Sequence, residues 1–355
     1  MKRTYMRVAR GFLGLVLTVS LALTLVSCSA PPAKEDAAAN EPVVAKSGRI
    51  LRVYTALDPN ESKIYFKKYE EEAGVKIQWV SMSSGAVFAR ALAEKNNPSM
   101  GLWFGGSATD FIAAAEQGLL GAYKPSINFE LPPQAHDPKW RWSGFYFGAI
   151  GFAANTKRLE RLGLKPPQSW QDLLDPRFKG EIGFAYPYTS GTSFTFLATL
   201  VELMGEDKAF DYMRRLDKNV HHYNKSGSSC VTQVGLGEIA IGIAFSHDIL
   251  KKGQSRGYPV VLTLPKEGTG FEIGGIALIK NGPDSAEAKK FIDWILSVKG
   301  QNIMQEWYRI PLNPDAKVGK GAVTADSVKL IKDNSVWAGK NKARLIERWR
   351  LITAQ

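Results

Sequence analysis

From residue 50 onward the chain repeats one rhythm: a short apolar run, a small polar turn, then an amphipathic stretch. Residues 50–57 (ILRVYTAL) predict a strand. Asp58, Pro59, Asn60 and Glu61 then open a helix, with Asp suited to the cap, Pro to the first turn and Glu61 to the third position of a capping box. That helix is expected to run to about Ala73, where Gly74 stops it. Residues 75–82 predict a second strand, and Ser83, Ser84 and Gly85 open a second helix. Residues 102–104 predict a third strand, after which Gly105, Gly106 and Ser107 open a third helix ended by Gly118. Strand, polar turn and helix in threefold succession predict an α/β fold with mostly parallel strands.

The same rhythm returns further on. Residues 144–155 form a long apolar run that predicts a strand ending at Asn155. A surface loop and a short helix near Trp170 follow, then a strand from Gly183. The turn Thr189-Ser190-Gly191-Thr192-Ser193 leads into a helix, as does Lys225-Ser226-Gly227-Ser228-Ser229. Residues 239–248 predict a strand carrying Phe245, Ser246, His247 and Asp248, and 260–280 hold two more. Residues 284–305 predict one long amphipathic helix with Ala288, Phe291, Ile292 and Ile295 on one face, and a last helix closes the chain. Two α/β units are expected, 49–145 and 156–270, with the second inserted in the first. The boundaries drawn are lobe 1 at 49–145 and 275–355, lobe 2 at 146–274, and crossovers near 146–154 and 272–280. In such sheets the strand-to-helix turns gather on one edge, where helix N-termini offer free N–H groups to a ligand.

The N-terminus changes the picture of where this body works. Lys2, Arg3, Arg7 and Arg10 precede an apolar stretch too short to span a bilayer, and the stretch ends at Cys28. Residues 1–27 resemble a bacterial lipoprotein signal peptide, which implies that Cys28 carries a lipid and holds the protein to a membrane. Residues 28–48, rich in Ala, Pro and charge, are expected to form a flexible tether. Cys230 then remains as the second of two cysteines, so no disulfide within the chain is expected. The formal charge of +12 falls to +8 without the four basic residues of the signal. Export argues against nucleic acid, which leaves a membrane face or an anionic ligand as the partner of that charge.

Several motifs in the body are similar to those of ABC-transporter solute-binding lipoproteins. They are GFxxNT at 151–156, SWxDLxDPxxKGxI at 169–182, TSGT at 189–192, GLGEIAIGI at 235–243 and FEIGGIALIK at 271–280. DPRFKGEI at 175–182 and AxxFIDWILSxxGQ at 288–301 resemble the ferric-iron-binding-protein-like group. The resemblance implies the two-lobed type II periplasmic-binding fold, a two-strand hinge, a monomer without cofactor, and docking to a permease. Iron-binding members place two adjacent tyrosines after the strand that follows the GE motif. Here that place holds Ser246, His247 and Asp248, and no two tyrosines adjoin anywhere.

Sugar-phosphate-binding, AfuA-like members resemble the chain more closely. By that resemblance His247, Asp248 and Glu272 would grip the hydroxyls of a hexose. Carboxylates accept from hydroxyls, and histidine both donates and accepts. Thr189, Ser190, Gly191, Thr192, Ser226 and Gly227 would hold a phosphate on hydroxyls, backbone N–H groups and helix starts, with Lys225 adding charge. Ser83, Ser84 and Gly85 are candidate contacts from the other lobe. Trp103 and Tyr146 could stack on a sugar, although core is the commoner place for such rings. 2-Aminoethylphosphonate or a related organophosphonate, and ferric iron, stay open as other ligands. A hydrolase is disfavoured because His247 and Asp248, adjacent on an extended strand, would orient each other poorly, and no G-x-S-x-G elbow exists. No His or Cys cluster suggests a metal, and a structural lipoprotein without a solute is the remaining class.

Overall fold

The computed structural model describes residues 48–353. The signal peptide, Cys28 and the tether to Ser47 lie outside the described residues. The first lobe begins with β1 (Ile50–Thr55), α1 (Pro59–Ala73), β2 (Lys76–Ser81), α2 (Ser84–Ala93), β3 (Leu102–Ser107), α3 (Ala108–Glu116) and β4 (Leu120–Gly121). Strand β5 (Ser143–Asn155) leads into α4 (Thr156–Arg161), β6 (Ile182–Ala185), α5 (Gly191–Met204) and α6 (Glu206–Asp217). The second lobe continues through β7 (Val220–Asn224), α7 (Ser229–Leu236), β8 (Ile241–Phe245), α8 (Ser246–Asp248) and β9 (Val260–Thr263). The chain returns along β10 (Phe271–Ile279) to α9 (Ser285–Leu296), α10 (Val298–Gln301), β11 (Ile310–Pro311) and α11 (Ser335–Thr353).

The strands run in the order β2-β1-β3-β10-β5-β8-β6-β7. Within each lobe the pairs β1–β2, β1–β3, β6–β7 and β6–β8 are parallel, as the strand-turn-helix rhythm requires. Two long antiparallel strands join the lobes. The first half of β5 pairs with β10, from Ser143↔Ile276 to Ala149↔Phe271, and its second half pairs with β8, from Ile150↔Phe245 to Ala154↔Ile241. All of β5 is buried, which explains its unbroken apolar sequence.

Each lobe has its own core. In the first, Phe104 stacks on Phe145 and meets Phe291 edge-on, so α9 covers the sheet. In the second, Trp170 lies between Phe152 and Phe196. The stretch expected as one helix over 284–305 is broken. Ser297 is extended and its Oγ accepts the Gly300 N–H at 3.2 Å, so it ends α9 and caps α10. The closing helix does not rest on the first lobe alone, where the boundary at 275–355 placed it. Leu345 and Trp349 enter the second core, and Trp349 sits against the rings of Tyr186, Tyr188 and Tyr223. Lys342 of the same helix reaches Asp110 of α3 in a buried ion pair. Helix α11 therefore braces both lobes.

Truncating Trp349 to Ala should then cost about 3–5 kcal/mol in urea unfolding, as for other large buried aromatics. A loss below about 1 kcal/mol would mean that α11 is not part of the second core.

Candidate functional site

The strand-to-helix turns of both lobes open on one cavity of about 280 Å³. From the first lobe come Asp58 after β1, Ser83 and Ser84 after β2, and Gly106 and Ser107 around the end of β3. The second lobe contributes Ser190, Gly191 and Thr192 after β6, Ser226, Gly227 and Ser228 after β7, and His247, Asp248 and Lys252 after β8. Tyr146 of β5, Glu272 of β10 and Arg309 beside β11 form the floor. The space suits a small solute, since drug-sized ligands occupy about 300–1,000 Å³.

The helices α1, α2, α5 and α7 all begin at this cavity. Their positive ends meet at this cavity, which favours an anion there. The turns before α5 and α7 meet at Gly227. A Cβ at that position would lie 2.2 Å from Thr192 Oγ1 and 2.7 Å from Ser190 Oγ, so only glycine lets the two turns close on each other. Hydrogen bonds also cross between the lobes. The Gly191 N–H donates to Ser84 Oγ at 2.9 Å, and the Gly85 N–H donates to the Thr189 carbonyl at 3.0 Å.

The cavity also holds acidic, deeply buried groups. Tyr146 donates its hydroxyl to Glu272 Oε1 at 2.8 Å. Burial pushes the Glu272 carboxyl up to about 8, against the Arg309 charge, so at neutral pH it can donate as well as accept. Burial raises Asp248 too, partly offset by Lys252 and Arg309. Arg309 clasps Glu61 with Nε and Nη2 at 2.8 and 2.9 Å and donates from Nη1 to His247 Nε2 at 2.7 Å. Its guanidinium also lies 4.2 Å from the centre of the Tyr146 ring. Burial opposes that charge, but Glu61, Tyr146 and Asp248 together outweigh burial and hold Arg309 well above its ordinary value.

An arginine can only donate, so His247 Nε2 accepts and the ring proton sits on Nδ1. Burial, then the Arg309 and Lys252 charges, keep the imidazole neutral far below its usual range. Nδ1 faces β5, where a Cβ on Gly148 would come within 2.5 Å of it. His247 therefore supports Arg309 through Nε2 while lining the cavity.

Ten of the residues singled out by sequence line the cavity together: His247, Asp248, Glu272, Ser190, Gly191, Thr192, Ser226, Gly227, Ser83 and Ser84. Thr189 and Gly85 do not, because their backbones are bonded to each other across the cleft. Lys225 is exposed and outside the cavity, and Lys252 supplies the cation instead. Trp103 is core, its indole N–H donating to the Gly105 carbonyl at 2.9 Å. His247 and Asp248 stand in a helical turn, not on an extended strand, and His247 Nε2 lies 3.7 Å from Asp248 Oδ2. Glu61 serves Arg309 and not the capping box. Arg309 had no motif to announce it; its one signal is a lone charge in the run Trp307-Tyr308-Arg309-Ile310-Pro311. Among the described residues no three of His, Cys, Asp and Glu gather in a way that could hold a metal, and no helix is long and apolar enough to cross a membrane.

Comparison with known proteins agrees with this architecture. Residues 107–336 match the bacterial extracellular solute-binding protein family. The chain superposes on the periplasmic binding protein AfuA of Actinobacillus pleuropneumoniae, solved with exogenous fructose-6-phosphate bound, with a TM-score of 0.84 and 36% identity over 87% of this chain and 99% of that one. An uncharacterized Haemophilus influenzae protein is 39% identical over 80% of this chain and 84% of its own length. A Salmonella typhi periplasmic protein named as a candidate 2-aminoethylphosphonate binder is 24% identical over 82% of this chain and 87% of its own. The chain belongs to the bacterial extracellular solute-binding proteins of ABC importers, in their AfuA-like branch.

Proposed function

We propose that the protein captures a phosphorylated small molecule, a hexose phosphate, between its lobes and delivers it to an ABC permease from a lipid anchor at Cys28. The observation that carries this reading is the mixed lining of one cavity. Hydroxyls and the starts of α2, α5 and α7 line it together with the carboxyls of Asp248 and Glu272. A phosphate suits the hydroxyls and helix starts, and vicinal hydroxyls suit the carboxyls. Bonds to a charged group contribute about 1.5–3 kcal/mol each, enough to select such a solute from its unphosphorylated parent. The fructose-6-phosphate held by the AfuA relative supports the same choice.

An organophosphonate is the second reading. Its phosphonate would use the same helix starts, and its amine would pair with Asp248. The buried carboxyls and the Salmonella typhi relative favour it over a metal ion. Ferric iron lacks both the adjacent tyrosines and, among the described residues, a cluster of acidic or imidazole ligands.

A calorimetric panel separates these readings. Glucose 6-phosphate and fructose 6-phosphate should bind tightly, inorganic phosphate weakly, and free glucose not at all. Tight binding of 2-aminoethylphosphonate alone would favour the second reading, and binding of ferric citrate alone would reject both. In the same assay Asp248→Asn should weaken fructose 6-phosphate about 10–100-fold, the worth of one charge-assisted bond. It should leave inorganic phosphate unchanged. Gly227→Ala crowds Ser190 and Thr192, so it should weaken both ligands; a variant that spares either one places the phosphate elsewhere.

A further inference from the structure

Two cations line the cleft, and Arg309 directs Nε, Nη1 and Nη2 each to Glu61 or His247. Lys252 is placed differently. Its Nζ lies 2.7 Å from Asp58 Oδ2 and donates to Ser228 Oγ at 2.7 Å. Asp58 belongs to the first lobe and Lys252 to the second, so the ion pair bridges the two lobes across the cleft. The two side chains are 15% and 13% exposed, which shields their attraction from salt more than a surface pair would be. An ammonium has three donors. Two are engaged here, and the third is available to a solute beside the Ser226–Ser228 turn.

Asp58 is held in place by its own helix. Its Oδ1 accepts the Asn60 N–H at 2.9 Å as the cap of α1. Burial raises its pKa, but the bond and charge of Lys252 outweigh burial and hold the carboxyl below its usual range. Of the helix starts at the cavity, α1 therefore carries an anion of its own, while α2, α5 and α7 follow serines. Asp248 lies close enough to feel the Asp58 charge. A second anionic group reaching this side would meet both carboxyls.

We propose that Asp58 and Lys252 form a charge latch that ties the lobes over the solute and limits the cleft to solutes with one anionic group. The latch rests on the reading of the cleft as a sugar-phosphate site. Its test uses the purified protein in two assays. In small-angle scattering without solute, Asp58→Asn and Lys252→Met should each expand the particle, and the swap of Asp58→Lys with Lys252→Asp should restore the compact form. Asparagine caps a helix as well as aspartate, so the first variant removes charge without the cap.

In titrations, Lys252→Met should weaken fructose 6-phosphate about 10–100-fold. Asp58→Asn should improve fructose 1,6-bisphosphate relative to fructose 6-phosphate by at least ~10-fold. Single variants that scatter as wild type, or an Asp58→Asn variant that discriminates as wild type does, would overturn the latch. If the wild type binds no hexose phosphate, the sugar-phosphate reading falls, and scattering still decides whether the pair ties the lobes.

Discussion

Strand β5 pairs with β10 through its first half and with β8 through its second, so one buried backbone carries the hydrogen bonds of both sheets. This fixes which ends of the two sheets face each other. Parallel strands on either side then deliver their turns, and the helices after them, to a common space. Helix starts from both lobes thereby converge, and their positive ends favour an anion between them. The same strand brings Tyr146 to the cavity floor, beside Glu272 of its antiparallel partner.

The floor is held by charges that do not face water. Arg309 clasps Glu61 of α1 and reaches His247 of the second lobe, so one guanidinium touches both lobes and the strand between them. Removing one member of such a network leaves the others buried and unpaired, which costs more than the network adds when intact. The arrangement therefore acts through geometry: it keeps His247 neutral and its Nε2 engaged, with Asp248 and Glu272 beside it on the cavity. Helix α11 braces the back of the cleft in a similar way, with Lys342 on Asp110 and Trp349 in the second core.

Much of this was legible in the sequence because local chemistry specified it. Helix starts need serine, glycine or aspartate, so Ser83, Ser190 and Ser226 marked turns that the fold brings to one place. The apolar run of β5 and the Phe271–Ile279 strand were equally plain. Long-range pairing left no such trace. Arg309 lies 248 positions from Glu61 and 62 from His247, and no local pattern connects them. Lys225 drew attention because it adjoins the glycine turn, whereas Lys252 sits nearer the solute space only after β8 has folded beside β6. His247 and Asp248 looked like strand residues because the apolar run continues into them. Strand β8 in fact ends at Phe245, and the turn that follows sets both side chains on the cavity.

The orientation of the solute is the claim on which the rest depends. A crystal structure of the protein grown with fructose 6-phosphate tests it most directly. The phosphate should lie where Ser190, Thr192 and Gly227 meet, with sugar hydroxyls on Asp248 and Glu272. A phosphate seated instead against Arg309 and Glu272, with the sugar at the helix starts, would contradict the account.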